Sequence, residues 1–86
     1  RVTVRGERVA VTSTEFQLLA VLAQNAGRIV ENDVLLQRVW GYERGEEAES
    51  LKVYIYRLRQ KIESDPAHPR YLLTERGVGY WLRTAN

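Results

Sequence analysis

The spacing of apolar residues predicts short strands at both ends of the chain and three helices between them. β-Branched residues on both sides of Gly6-Glu7 are typical of a hairpin, with strands near 2–5 and 8–11. A first helix is predicted over about 13–26, because Thr12 and Glu15 have capping-box spacing and a glycine follows the last apolar turn. Apolar residues cover most of its circumference, so we expect this helix, Phe16 included, to be buried on all sides.

Two further helices and a second hairpin follow. A second helix of about two turns is predicted to end at Gly41. Residues 41–49 contain two glycines, four acids and one base, which predicts an acidic loop. The third helix is predicted from Ser50, acting as its cap, to about residue 64, before Asp65-Pro66. Two strand-like runs around a glycine-rich tip predict a C-terminal hairpin over 71–83.

The third helix separates into an apolar stripe and a basic face on a helical wheel. The stripe predicted to be buried consists of Leu51, Ile55, Leu58 and Ile62. The outward arc holds Lys52, Val53, Tyr56, Arg57 and Gln60, flanked by Arg59 and Lys61, with Tyr54 near the core edge. No acid occurs between residues 50 and 62, although a helix gains stability from opposite-charge pairs. The pattern favours an anionic partner, and a merely solvated basic face is the alternative interpretation.

The distribution of charge strengthens that interpretation. The 86 residues, 44% of them apolar, suffice for one small domain, and the formal net charge of +2 decides nothing. Residues 1–49 carry six bases and eight acids, whereas residues 50–86 carry seven bases and three acids. The positive charge therefore lies on the third helix and the second hairpin. A helix fits the DNA major groove, where an arginine can bond guanine and Val53 can touch a thymine methyl group. Arg76, beside Gly77, can enter an adjacent minor groove.

The composition does not favour metal or cofactor binding, catalysis or membrane insertion. The chain has no cysteine and one histidine, His68, so we expect neither a metal site nor a cofactor. The pair Glu46-Glu47 has no neighbouring nucleophile or histidine, and the chain is predicted not to be an enzyme. No apolar run is long enough for a membrane span, and no signal segment opens the chain. Trp40 and Trp81 lie beside other apolar residues and are interpreted as core.

Four ordered motifs carry a family resemblance. They are Thr12-x-x-Glu15-Phe16-x-Leu18-Leu19, Val39-Trp40-Gly41, Val53-x-x-x-Arg57-Leu58-Arg59-x-Lys61-Ile62 and Thr74-x-Arg76-Gly77-x-Gly79-Tyr80. With them the sequence resembles the winged-helix effector domain of OmpR/PhoB-type response regulators over nearly its whole length. The resemblance implies an α+β winged helix-turn-helix: an N-terminal sheet, three helices with the third as recognition helix, and a C-terminal hairpin as wing.

The resemblance also implies a set of functional residues. The DNA-binding positions are Lys52, Val53, Tyr54, Tyr56, Arg57, Arg59, Gln60, Lys61, Arg76 and Gly77. Among them, Arg57 matches a base-reading arginine, Arg59 a phosphate-contacting one and Arg76 the minor-groove arginine of the wing, while Val53 matches a residue against thymine methyl groups. The loop residues Tyr42, Glu43, Arg44, Glu46 and Glu47 match a turn that in this family can touch RNA polymerase. Lys52 and Tyr54 replace a common Asp and a frequent His, so the operator sequence does not carry over from relatives.

The predicted function is sequence-specific binding of double-stranded DNA by the output domain of a two-component transcriptional regulator. Residues 1–86 are expected to be one domain cut from a longer bacterial cytoplasmic chain, associated with the nucleoid, with an N-terminal receiver domain and phosphorelay control. RNA polymerase is an implied partner, and the isolated domain is expected to be a monomer that dimerises on direct repeats. The alternatives are a winged-helix protein-interaction module and the DNA-binding domain of a membrane-anchored one-component regulator.

Overall fold

The computed structural model describes residues 2–41 and 48–84, with only the backbone at 48 and 49. In chain order the elements are β1 (Val2–Val4), β2 (Glu7–Val9), α1 (Ser13–Gln24), β3 (Val30–Glu31), α2 (Asn32–Trp40), α3 (Ala48–Ile62), β4 (Leu72–Glu75) and β5 (Gly79–Leu82). This order confirms the predicted α+β winged helix-turn-helix. Of the acidic loop predicted at 41–49, residues 42–47 lie outside the described residues, and they include the suggested polymerase-contacting residues. Residues 48 and 49 belong to α3, so the predicted end of the loop is wrong.

Helix α1 begins at the predicted capping box. The Glu15 backbone N–H donates to Thr12 Oγ1 at 3.1 Å, and the Thr12 N–H donates to Glu15 Oε1 at 2.9 Å. The expectation of burial on all sides is wrong, because the Phe16 side chain is 46% exposed. Helix α1 packs against α2 and β5, and these neighbours cover the face that carries Leu18 and Leu22.

Helices α2 and α3 meet the core on one face each. Helix α2 ends as predicted, with Gly41 in the left-handed conformation at φ 76°. Helix α3 begins at Ala48, so the prediction that Ser50 caps it is wrong. Alanine and glutamate at 48 and 49 are favourable helix formers, and they extend the first turn beyond the serine. The predicted stripe is confirmed by the burial of Leu51, Ile55, Leu58 and Ile62.

The core joins the three helices to the sheet. Its buried residues are Leu18, Val21, Leu22, Val30, Leu35, Leu36, Leu51, Ile55, Leu58, Ile62 and Leu72. Trp40 is partly buried against this cluster, as expected, and Trp81 is partly buried. Within residues 2–41 and 48–84, no helix combines the length and apolarity that crossing a membrane requires.

The C-terminal hairpin belongs to a three-stranded antiparallel sheet in the order β3-β5-β4. Strand β3 was not predicted, because two residues are too short to show an alternating pattern. It pairs Val30 with Tyr80 and Glu31 with Gly79. A Cβ on Gly79 would stand 2.0 Å from the Val30 carbonyl oxygen, so only glycine permits this close approach. Strand β3 thereby attaches the hairpin to the helices.

Candidate nucleic-acid interface

The outward face of α3 is open to solvent, as the wheel predicts. Its exposed side chains are Lys52, Val53, Tyr56, Arg57 and Gln60. Tyr56 is 64% exposed and Val53 42%, so both side chains are available to a partner. The face thus combines two cations, an amide and two apolar groups, the side-chain types that read base edges in a major groove.

Arg57 is supported from beneath by an aromatic pair. Its guanidinium carbon lies 5.1 Å from the centre of the Tyr54 ring, within cation–π range. The Tyr54 ring in turn meets Trp40 edge-on, with ring centres 5.3 Å apart and an interplanar angle of 61°. Trp40 belongs to the end of α2, so Arg57 rests on a contact between α2 and α3. Tyr54 itself is partly buried, in agreement with its predicted place at the core edge.

Arg59 points from α3 to the wing hairpin. Its Nε donates to the Leu72 carbonyl oxygen at 3.0 Å, and its Nη2 donates to Thr74 Oγ1 at 2.7 Å. The guanidinium carbon also lies 5.9 Å from the centre of the Tyr80 ring. Burial lowers the pKa of Arg59, against the opposing effects of Tyr80 and Glu63, and the side chain remains charged at neutral pH. A residue predicted to contact phosphate is therefore already bonded to two atoms of β4.

Lys61 is also engaged within the domain. Its Nζ donates to Glu15 Oε1 at 2.5 Å, where the Glu15 side chain is only 3% exposed. Burial raises the pKa of Glu15, but the Lys61 ammonium and the hydrogen bonds from Thr12 outweigh it and hold this pKa below 4.5. The ion pair could not be seen in the charge pattern of α3, because the partner of Lys61 is 46 residues away in the sequence.

Glu63 is a structural residue that sequence reasoning missed. The residue is 5% exposed, and its carboxylate accepts three backbone hydrogen bonds at the start of the wing. Oε1 accepts from the Arg70 N–H at 2.8 Å, and Oε2 accepts from the N–H groups of Tyr71 at 2.9 Å and Leu72 at 2.8 Å. A glutamate just after a helix carries no sequence signal for such a role.

The tip of the wing is a three-residue loop, Arg76–Val78, between β4 and β5. Gly77 has φ 76°, which the turn requires, and Val78 is 43% exposed. Arg76 is exposed and makes no hydrogen bond or ion pair with any part of the chain that the structure describes. The Val78 carbonyl accepts a hydrogen bond at 3.0 Å from the Asn32 N–H, at the start of α2. The loop is thus anchored on one side while its arginine extends into solvent.

The structure brings the predicted residues together in two groups. The α3 face and the wing tip are linked through Arg59 and Thr74, which lies two residues before Arg76. In residues 2–41 and 48–84 we find no cluster of three or more histidine, aspartate or glutamate side chains arranged to hold a metal ion. His68 is exposed and lies 3.1 Å from Asp65 in the loop after α3. The chemistry available at this surface is recognition by charge, hydrogen bonding and apolar contact.

A helix-turn-helix unit with an exposed basic second helix and a hairpin beside it defines the winged-helix class of nucleic-acid-binding domains. Residues 6–82 match the sequence family described as "Transcriptional regulatory protein, C terminal". The chain belongs to this family, whose members include the C-terminal DNA-binding domains of OmpR/PhoB-type response regulators. The resemblance noted in the sequence is therefore confirmed.

Solved structures agree with this assignment. The response regulator DrrB of Thermotoga maritima, an OmpR/PhoB homologue, is 36% identical with a TM-score of 0.83 over 93% of this chain. The RstA DNA-binding domain of Klebsiella pneumoniae, solved in complex with the RstA box, is 35% identical with a TM-score of 0.83 over 91% of this chain and 77% of its own. The C-terminal effector domain of BfmR from Acinetobacter baumannii is 41% identical, with a TM-score of 0.75 over 94% of this chain and 74% of its own. The chain spans only 36% of DrrB.

Proposed function

We propose that this domain binds double-stranded DNA sequence-specifically as the output domain of a two-component response regulator. The observation that carries the proposal is the exposed set Lys52, Val53, Tyr56, Arg57 and Gln60 on α3, beside a wing whose tip presents Arg76 to solvent. An α-helix about 10–12 Å across fits the major groove, and the wing then lies over the neighbouring backbone and minor groove. Family membership and the RstA complex with its DNA box support the same function.

The proposed contacts follow from side-chain chemistry. Arg57 bonds the O6 and N7 atoms of a guanine, and Val53 packs against a thymine methyl group. Lys52, Tyr56 and Gln60 supply further base or phosphate contacts along the same face, and Tyr54 takes part through the ring that supports Arg57. Arg76 enters the minor groove, where negative potential attracts a guanidinium, and Gly77 allows the backbone to approach the duplex.

Arg59 and Lys61 have a lesser place in this proposal. Arg59 uses two of its five N–H donors within the domain, and the remaining donors are available to a phosphate. Lys61 is paired with Glu15, so we expect this ion pair to reduce its contribution to DNA affinity. Both residues stay among the proposed contacts, with Arg59 on the phosphate backbone.

The proposal extends to the partners of the longer protein. We infer a receiver domain in the same chain, a bacterial cytoplasmic location at the nucleoid, and RNA polymerase contact through residues 42–47. We further infer that two copies bind direct repeats and that the isolated domain is monomeric. These inferences rest on the family, and sedimentation of the domain with and without a two-repeat duplex tests the stoichiometry.

Selection of bound sequences from a random duplex pool is the direct test of specificity. We expect a defined motif to be enriched, with an A·T-rich segment beside it for the wing. In fluorescence-anisotropy titrations of the selected duplex, three or four neutralised phosphates give a slope of log K against log salt of about −3 to −4.

Variants then separate base reading from backbone contact. Arg57→Ala is expected to cost about 1–3 kcal/mol on the selected duplex and little on a scrambled one. The matched control is Arg28→Ala, an exposed arginine outside α3 and the wing, which should leave both affinities unchanged. Absence of binding to any duplex at low salt would contradict the proposal and favour a protein-interaction module. Recovery of a membrane-spanning segment in place of a receiver domain in the longer chain would favour a one-component regulator.

A further inference from the structure

Strand β4 is the outer strand of the wing, and its outer edge is covered by side chains from the end of α3. In the order β3-β5-β4, one edge of β4 has no neighbouring strand among the described residues. The Leu72 N–H donates to Glu63 Oε2 at 2.8 Å, and the Leu72 carbonyl accepts from Arg59 Nε at 3.0 Å. Both backbone polar groups of one strand residue are thus bonded to side chains from α3 or the residue just after it.

Arg59 makes two further contacts with the same hairpin. Its Nη2 donates to Thr74 Oγ1 at 2.7 Å, and its guanidinium lies 5.9 Å from the ring centre of Tyr80. Thr74 and Tyr80 are directly paired across β4 and β5. Arg59 therefore contacts both strands of the wing, whereas Glu63 contacts only the segment that enters β4. These contacts join both strands of the hairpin to the end of α3.

We propose that Arg59 is a positioning residue that sets the distance between the base-reading face of α3 and Arg76. This inference rests on the proposed DNA binding. The guanidinium is a planar fork with donors at fixed angles, so its two bonds to β4 define an orientation that one bond does not. A lysine at this position keeps the charge for a phosphate and loses the fork. Arg59 thus affects sequence specificity by positioning the wing that carries Arg76, in addition to any contact it makes with a phosphate.

This proposal predicts a fixed spacing in the DNA site between the major-groove bases and the minor-groove segment. If the wing has one fixed position relative to α3, Arg76 reaches the minor groove only at one distance along the duplex from the bases that Arg57 contacts. Inserting one base pair between the two segments moves the second by about 3.4 Å along the duplex. A wing free to tilt tolerates that shift, and a wing held by Arg59 does not.

The first test compares two duplexes from the random-pool selection, one as selected and one with a single base pair inserted before the A·T-rich segment. We expect the insertion to weaken wild-type binding about tenfold and Arg59→Lys binding only about threefold. Arg76→Ala should abolish the difference, since the penalty belongs to the wing. An insertion penalty in Arg59→Lys equal to that of the wild type, or one that survives in Arg76→Ala, overturns the proposal.

Arg83→Lys is the matched control for the chemistry of the substitution. Arg83 also donates through Nε to a backbone carbonyl, that of Arg70 at 2.7 Å, but it follows β5 at the far end of the hairpin, and among residues 2–41 and 48–84 we find no hydrogen bond between its side chain and α3. This variant should keep the tenfold penalty. Loss of the penalty in Arg83→Lys would mean that any loosening of the hairpin has the same effect, which also overturns a specific role for Arg59.

A second measurement needs no DNA, so it separates failure of this inference from failure of the proposed function. The sequence has no cysteine, and nitroxide labels on Tyr56→Cys and Val78→Cys report the distance between the α3 face and the wing tip. Pulsed electron paramagnetic resonance should give a broader distance distribution in Arg59→Lys than in the wild type or in Arg83→Lys. Equal widths in all three proteins refute the positioning role, whatever the domain binds.

Discussion

Replacing Tyr54 by leucine tests whether the aromatic pair beneath Arg57 contributes to base reading. The substitution removes the ring that lies 5.1 Å from the Arg57 guanidinium and keeps an apolar group at the core edge. A cation–π contact at an exposed site is worth about 0.5–1 kcal/mol, so the dissociation constant for the selected duplex should rise about two- to fivefold. The mechanism is loss of orientation, because Arg57 then samples rotamers that do not reach the guanine edge.

The substitution also weakens the contact between α2 and α3. The edge-on pair of Trp40 and Tyr54 is worth about 0.5–1.5 kcal/mol, so Tyr54→Leu should lower the free energy of unfolding by about that amount. Affinity is therefore measured by fluorescence anisotropy well below the unfolding temperature of the variant. Urea unfolding, followed by tryptophan fluorescence, measures the stability separately.

Two variants isolate the ring from other effects. Tyr54→Phe keeps the ring and should bind within about twofold of the wild type, whereas a loss as large as that of Tyr54→Leu would assign the effect to the hydroxyl group. In an Arg57→Ala background, Tyr54→Leu should have no further effect on affinity. If it still weakens binding there by the same factor, Tyr54 acts independently of Arg57 and the reasoning is refuted.

Three other predictions concern the framework that holds the interface. Gly79→Ala should lower the free energy of unfolding by at least about 2 kcal/mol, because the new Cβ meets the Val30 carbonyl; urea unfolding at wild-type stability would contradict this. The pKa of Glu15 is lowered in the folded state, so its stabilising contribution is present above pH 4.5 and is lost as the pH falls through that lowered pKa. The stability difference between the wild type and Glu15→Gln should therefore shrink on acidification, and a constant difference would exclude the ion pair with Lys61 as its source. Glu63→Ala leaves three backbone N–H groups without their acceptor and should cost about 2–4 kcal/mol in urea unfolding, whereas a cost below about 0.5 kcal/mol would mean that water replaces the carboxylate.

The features that the sequence predicted correctly are those that depend on residues close together in the chain. The capping box of Thr12 and Glu15, the glycine at the end of α2 and the buried stripe of α3 all depend on residues within one or two turns of each other. The errors have the same origin. Ser50 was assigned as a cap because serine favours that position, but the helix propensity of the two preceding residues decides where α3 begins.

The parts of the interface that sequence reasoning missed depend on contacts between distant residues. Strand β3 exists because Val30 and Glu31 lie along β5, and neither residue shows this in its neighbours. Nothing in the sequence around Arg59 or Glu63 indicates that these side chains bond to β4. Their partner, Leu72, comes close to them only because the chain folds back from the wing to the end of α3. Phe16 was assigned to the core because of its apolar character, and its exposure depends on which side of α1 the other elements cover.

Lys61 and Arg59 both have partners inside the domain, so a count of the cations on α3 overstates the charge that is available to DNA. Four cations with no acid between residues 50 and 62 favoured an anionic partner, but Lys61 has its counter-ion on α1 and Arg59 donates to the wing. A pairing that survives in the complex leaves Lys61 with little charge to offer a phosphate. Lys61→Gln should therefore reduce the slope of log K against log salt by clearly less than the roughly 0.9 expected for one lost phosphate contact. A reduction of about 0.9, measured on the selected duplex by fluorescence anisotropy at several salt concentrations, would show that Lys61 exchanges Glu15 for phosphate on binding.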